Sequence, residues 1–405
     1  MLTKDYNKRL FQENTQDSDV ALVEGVMGLF DGYDGLSEAG STAEMAKWLN
    51  LPVVLVVSAK GKARSAAAIV KGFEDFDKDL TLAGVIFSKT GSPRHYDYLK
   101  KAVEQNCRTK CLGHMPKDDS IIMPERHLGL VTADEQVLDN NALSRLSNMV
   151  RDHIDMEALI NNLESFDIPQ RQEQTGDQVC SDETGPTIAV ARDKAFCFYY
   201  PDNFDILKKF GAKIIEFSPL NDAGLPKGID GIYLGGGYPE LFAEKLSEKK
   251  EMLRQIREHS MNGMPIYGEC GGFMFLCRSL SAMDGTEAYP MAGCFDLHVQ
   301  MSRRLRSLGY REITLTRDTI IGRKGMKLRG HEFHYSSLQN SEMDVPDVYQ
   351  VTSRDGQAIS LKGYQVFNTL GSYLHVHFGS NEACAKEFVK ACKGFKDQKH
   401  VCRCT

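Results

Sequence analysis

The chain has 405 residues, 26% of them charged and 42% hydrophobic, with a net charge of −6. That length exceeds one ordinary core and predicts two domains; the composition excludes a disordered chain, and the small, dispersed charge excludes a general nucleic-acid binder. No apolar run spans a bilayer, Met1-Leu2-Thr3-Lys4-Asp5 opens no signal peptide, and eleven cysteines without regular spacing predict reduced thiols in a cytoplasmic protein.

Residues 1–19 are polar and predict a helix with Tyr6, Leu10 and Phe11 as its apolar positions. Val20-Ala21-Leu22-Val23 predicts a buried strand leading into Glu24-Gly25-Val26-Met27-Gly28-Leu29-Phe30-Asp31-Gly32. An acid at the carboxyl end of a parallel strand followed by glycines suits a metal-binding carboxylate in a nucleotide-binding domain, and equally suits a glycine-rich loop with a capping acid. Ser41 or Thr42 caps a helix that ends near Leu51-Pro52. Val53–Val57, β-branched on both faces, predicts a central parallel strand; a helix from Arg64 and strands at Leu82–Phe87 and Cys111–His114 complete a doubly wound α/β domain. From Asn161 to Pro186 the chain turns polar and predicts a linker.

A second α/β domain opens with strands at Ile188–Ala191, Ile214–Phe217 and Ile229–Leu234, followed by Gly235-Gly236-Gly237-Tyr238-Pro239-Glu240. Three glycines at a strand end free backbone N–H groups for an oxyanion hole. A helix from Leu241 to about Asn262 leads to the strand Met264–Tyr267 and then to Gly268-Glu269-Cys270-Gly271-Gly272. Glycines around a cysteine at a strand-to-helix turn suit a nucleophile, and the helix N-terminus is expected to lower its pKa. A thiol needs an imidazole, and the candidates are His331, His334, His375 and His377. Neither histidine pair completes a zinc spacing.

Together these stretches resemble the cobyrinic acid a,c-diamide synthase family of cobalamin-pathway glutamine amidotransferases. The match adds Ala63-Arg64-Ser65-Ala66-Ala67, Pro124-Glu125-Arg126-His127-Leu128-Gly129-Leu130, Gly330-His331-Glu332-Phe333-His334-Tyr335-Ser336 and Ser372-Tyr373-Leu374-His375. The resemblance implies a P-loop-NTPase-like, dethiobiotin-synthetase-like domain over residues 1–160, a linker over 161–186, a class I glutamine amidotransferase-like domain over 187–398 and a tail over 399–405. By resemblance Cys270 is the glutaminase nucleophile and His375 its base; Gly236, Gly237 and Gly271 hold the oxyanion, with Tyr238 in the glutamine pocket. His331 and His334 shape the pocket or the domain interface. Glu24 and Asp31 look like the Mg²⁺ carboxylates, and Ser88 stands where the family commonly has an asparagine that helps read adenine. ATP and glutamine are the co-substrates and a corrinoid is the acceptor, amidated at its a and c acetates through an acyl phosphate; relatives accept hydrogenobyrinate or nickel sirohydrochlorin.

The phosphate-binding pattern G-x-x-x-x-G-K-[ST] does not occur in the chain, and Lys60-Gly61-Lys62 is its nearest echo. The expectations that follow are an upstream segment, a separate chain supplying that loop, or a homodimer. Two further readings are a glutaminase that no longer ligates and a non-catalytic tetrapyrrole binder.

Overall fold

A computed structural model describes residues 1–118, 139–161, 185–281, 287–339 and 345–403. The motif at 124–130 and nearly all of the expected linker lie outside them. The chain forms two compact units, Lys4–Gln172 and Glu173–Thr405 together with Met1–Thr3.

In the first unit α1 (Lys4–Thr15) is polar and buries no residue. The expected strand at Val20–Val23 does not form: Leu22 is 96% exposed and Val20 67%. A strand needs a paired neighbour, and among the described residues no backbone ladder reaches this run. α2 (Thr42–Leu49) is capped by Ser41, whose hydroxyl accepts the Glu44 N–H at 3.0 Å while the Glu44 carboxylate accepts from Gly40 N–H at 2.6 Å. β1 (Val53–Ser58), α3 (Ser65–Phe76), β2 (Leu82–Thr90), α4 (Pro93–Asn106) and β3 (Cys111–Pro116) form a parallel sheet in the order β1-β2-β3. α5 (Asn140–His153) and α6 (Met156–Asn161) follow. β1, expected at the centre, lies at the edge; Leu55 and Val57 enter the core with Val70, Val85, Phe87 and Leu99, whereas Val56 is 64% exposed. A continuous β-branched run reports hydrophobicity on both faces but not which neighbour covers each face.

The second unit is built on a six-stranded sheet. β4 (Thr187–Ala191), α7 (Pro201–Lys209), β5 (Lys213–Phe217) and β6 (Gly231–Leu234) lead through α8 (Ala243–Glu248) and α9 (Lys250–Met261) to β7 (Ile266–Glu269) and α10 (Gly271–Leu276). The single helix expected from Leu241 is divided at Lys249 (φ −77°, ψ 54°), which lets Leu246 and Met252 both bury. β8 (Ser279–Ser281), β9 (Ala288–Pro290), β10 (His298–Met301), β11 (Ser307–Leu315), β12 (Lys327–His334), β13 (Ser336–Gln339), β14 (Tyr349–Ser353), β15 (Ala358–Ile359), β16 (Gly363–Val366), β17 (Thr369–Ser372) and β18 (Leu374–His377) follow. The main sheet runs β16-β17-β7-β6-β4-β5, parallel from β17 to β5, and β18 closes a second sheet ordered β15-β14-β11-β12-β18. Buried Tyr233, Tyr267, Phe273, Phe378 and Phe388 fill the core around β6 and β7. α11 (Glu382–Arg403) continues past residue 398, so the expected tail is helical to Arg403; Lys396 Nζ reaches Gly185 O at 2.8 Å and Lys399 Nζ reaches Asp230 Oδ1 at 3.3 Å, anchoring its last turns.

Candidate active site

β7 ends at Glu269, and the next residue, Cys270, takes φ 45°, ψ −102° before α10 begins. Such a conformation costs a non-glycine residue about 1–3 kcal/mol and persists only where its surroundings enforce it. Here the Cys270 N–H donates to Ser372 O at 2.8 Å and the Cys270 carbonyl accepts from Met274 N at 2.9 Å. The sulfur faces Phe333 O at 3.6 Å. The expected depression of the thiol pKa is not its resting condition: burial pushes it well up, Glu240 adds to this, and the Gly271 N–H opposes both. A helix of six residues, all buried, offers too little positive potential to outweigh desolvation.

β12 and β18 pair antiparallel with His331 directly opposite His375. The two rings stack with centroids 4.5 Å apart and planes 5° apart, and Phe198 meets His375 edge-on at 4.8 Å. Tyr200 OH is hydrogen-bonded to His331 Nδ1. Gly236 lies against the His375 ring: a Cβ there would sit 2.2 Å from Cε1. His375 is buried, its Nδ1 has no hydrogen-bond partner among the described residues, and burial, then His331 and His334, push its pKa well down. His377 is engaged differently, its Nδ1 accepting from Gly379 N at 3.1 Å and lying 3.8 Å from Asp202. His334 bridges Glu332 (3.0 Å) and Ser336 O (2.8 Å) and stacks on Tyr373 at 3.9 Å. Arg311 Nε donates to Glu332 at 2.8 Å; burial pushes the Glu332 carboxyl up, but the hydrogen bonds from His334, Ser307 and Arg311 outweigh it.

Two hydrogen bonds tie the elbow to the chain that carries His375, one from Cys270 N to Ser372 O and one from Val376 N to Glu269 Oε1 at 2.9 Å. Beside the elbow stands the glycine turn. Gly235 N donates to Tyr199 OH (2.9 Å) and Gly236 N to Phe198 O (3.1 Å), so Gly236 clears space for His375 while its own N–H is already engaged. Gly237, at φ 151°, approaches Ala195 O within 2.2 Å of where a Cβ would be, and its N lies 3.1 Å from the corresponding Cβ position of Gly271. The Gly271 N–H is directed at the Cys270 thiol, Gly237 N lies close to Gly271, and half-buried Tyr238 is next in the chain, its N–H donating to Ala195 O at 3.0 Å.

In the first unit Glu24 and Asp31 are exposed, and the Asp31 carboxylate covers Gly28, where a Cβ would lie 2.1 Å from Oδ2. Ser88 is near the carboxyl end of β2, its carbonyl accepting from Ala59 N at 2.8 Å. Lys60-Gly61-Lys62 forms the turn between β1 and α3, with Gly61 at φ 67° and His95 Nε2 on Lys62 O at 2.6 Å. Among the described residues no group of three or more His, Cys, Asp and Glu is gathered as a metal site. Carboxylate oxygens such as those of Glu24 and Asp31 are the donor type magnesium accepts, with most of its ligands taken from phosphate and water.

Sequence reasoning missed Phe198, Tyr200 and Glu269. The signals available were the aromatic run Phe196–Tyr200 after a strand and an acid adjoining the nucleophile.

The fold and the elbow define a glutamine amidotransferase joined to a nucleotide-binding domain: residues 187–383 match the model of the CobB/CobQ-like glutamine amidotransferase domain, and residues 3–125 match an AAA domain. The chain is 39% identical over 397 residues to the cobyrinate a,c-diamide synthase of Caldanaerobacter subterraneus subsp. tengcongensis, covering 98% of this chain and 86% of that protein. It is 40% identical to the enzyme of that name from Synechococcus sp. over 96% of this chain and 84% of that protein, and 38% identical to that of Priestia megaterium over 98% and 85%. The chain belongs to the cobyrinate a,c-diamide synthase family. No helix among the described residues is long and apolar enough to cross a membrane.

Proposed function

We propose that the protein is an ATP- and glutamine-dependent ligase that amidates the a and c acetates of cobyrinate in the cytoplasm. The observation that carries this reading is identity of 38–40% over nearly the whole chain to three cobyrinate a,c-diamide synthases. Cys270 Sγ attacks the glutamine side-chain carbonyl as His375 takes its proton, and the N–H groups of Gly237 and Gly271 receive the oxyanion. As the C–N bond breaks, His375 returns the proton to the leaving nitrogen, releasing ammonia. Water then cleaves the thioester to glutamate and restores the thiol. Burial pushes the thiol pKa up and the imidazole pKa down, so both groups favour their neutral forms and the proton moves together with the attack on the carbonyl.

In the first unit Glu24 and Asp31 would hold Mg²⁺, which would neutralise phosphate charge, and Ser88, standing where the family commonly has an asparagine, would meet the adenine. The γ-phosphoryl group passes to an acetate oxygen, and ammonia displaces phosphate from the resulting acyl phosphate to leave the amide and inorganic phosphate. Activation is required because a carboxylate at neutral pH is a poor electrophile.

The test is glutamate release and amide formation by the full chain with ATP and, separately, cobyrinate, hydrogenobyrinate and nickel sirohydrochlorin. Diamide formed from cobyrinate with ATP consumed is expected. Glutamate release without ATP-dependent amidation of any of the three would replace this reading with that of a stand-alone glutaminase.

A further inference from the structure

A catalytic imidazole is ordinarily held in its plane by a third group hydrogen-bonded to the ring nitrogen that does not face the nucleophile. His375 departs from that plan: its Nδ1 is buried and unpartnered among the described residues. What fixes the ring is packing. His331 lies parallel to it at 4.5 Å, Phe198 meets it with planes 73° apart and centroids at 4.8 Å, and Gly236 comes so close that a Cβ there would sit 2.2 Å from Cε1. His331 is itself fixed twice, by the antiparallel register that sets it opposite His375 and by the Tyr200 hydroxyl on its Nδ1. Phe198 also meets the His331 ring edge-on at 5.3 Å, so the three rings form one block.

We infer that His331 is a positioning residue for His375, holding the plane of the base by stacking and keeping water from that face, in the role that a hydrogen-bonded third group plays elsewhere. This rests on the assignment of His375 as the base of Cys270. The consequence for chemistry is direct. When His375 takes the thiol proton, a neutral aromatic face stacked on the imidazolium stabilises the new charge, whereas a protonated neighbour would repel it. Burial holds the His331 pKa down at about 4, so the stacked face stays neutral over the working range. The other titratable groups around the pair include Tyr310 on β11, set opposite His331, Tyr200 before α7, His334 on β12, His377 on β18, Glu240 beyond the glycine turn, and Glu269 and Cys270 at the elbow. A comparison among His331 variants leaves all of them in place.

The experiment is steady-state glutamate release by the full chain between about pH 5 and pH 9, where the acid limb of kcat/KM reports protonation of the base. His331→Ala is expected to lower kcat by about 10- to 100-fold with the KM for glutamine changed by less than about threefold, because a positioning residue acts on the base in the transition state rather than on ground-state binding. Water entering beside His375 relieves its desolvation, so the acid limb moves up by about one pH unit. His331→Phe keeps a flat, dry face and is expected to recover most of kcat and the original limb. Unchanged kcat and an unchanged limb in His331→Ala overturn the inference, as does a His331→Phe enzyme no better than His331→Ala. If thermal melting shows His331→Ala unfolded, His331→Leu takes its place: it fills the volume without a flat face, and equality with His331→Phe overturns the inference. The rate of Cys270 alkylation against pH reads the same limb without turnover. His375→Asn separates the two layers, since activity retained there removes the base assignment itself. Inactivity there beside a normal His331→Ala removes the positioning role alone.

Discussion

The main-chain N–H of Val376 donates to Oε1 of Glu269 at 2.9 Å, so the residue before the nucleophile and the residue after the proposed base share a hydrogen bond. Tyr267 OH donates to the same oxygen at 2.8 Å and Tyr233 OH to the other at 2.9 Å. All three donors are buried, which makes Glu269 the clasp between β7 and β18.

Burial pushes the Glu269 carboxyl up to about 7, with the three hydrogen bonds opposing it. A carboxyl whose folded pKa lies above its unfolded value of 4.5 contributes its full stability below the unfolded pKa and loses it as pH rises towards about 7. The part contributed by this group is expected to fall by roughly 3 kcal/mol across that window. Glu269→Gln should flatten this fall, and urea midpoints for wild type and variant at three pH values across the window will measure it. An equally steep fall in the variant would assign it to other groups.

Cys270→Ala should abolish glutamine-dependent amidation and glutamate release, leaving less than about one part in a thousand. Amidation supported by added ammonium salts should persist at mildly alkaline pH, because ammonia needs no thioester to reach the acyl phosphate. Loss of both activities would mean that the elbow also shapes the synthetase site.

A methyl group on Gly236 would meet His375 Cε1 at 2.2 Å. Gly236→Ala must therefore displace the ring, and the glutaminase kcat is expected to fall by about 100-fold, the scale of a misplacement near 1 Å. Gly237→Ala meets a main-chain carbonyl at 2.2 Å and a φ of 151°, so its effect should appear in the melting temperature as well. Parallel kinetics and thermal melts of the two variants distinguish displacement of the base from general strain.

In the first unit Glu74 accepts from Lys71 (2.8 Å), from Arg108 N (2.7 Å) and from both the N–H and the hydroxyl of Thr109 (2.8 Å each). Burial pushes this carboxyl up, but those hydrogen bonds win and hold it at about 2. Its stabilisation is present above the unfolded pKa of 4.5 and is lost as pH falls towards about 2. Glu74→Gln is expected to cost roughly 2 kcal/mol at neutral pH and to reduce the acid dependence. Trp48, the single tryptophan, lies on α2 in this unit and makes denaturation followed by its fluorescence a local measurement.

The sequence located the elements whose signals are local. Ser41-x-x-Glu44 announces its helix, the runs at 53–57, 82–87 and 188–191 announce strands, and Gly268–Gly272 announces a turn with a nucleophile, since each depends on propensity and spacing within a few residues. Val20–Val23 shows the limit: its pattern is that of a strand, yet a strand exists only with a partner, and the residues stand exposed.

The site divides in the same way. Cys270, the histidines and the glycines were legible as residue types suited to acyl transfer, and the order of many motifs along the chain determined the family. Only the tertiary structure decided how they are placed. Antiparallel register set His331 against His375, a main-chain bond engaged the Gly236 N–H with Phe198 O, and desolvation opposes the pKa shift expected from the helix N-terminus. Register, backbone pairing and burial each depend on residues more than thirty positions apart, and one-dimensional spacing carries no information about their distances.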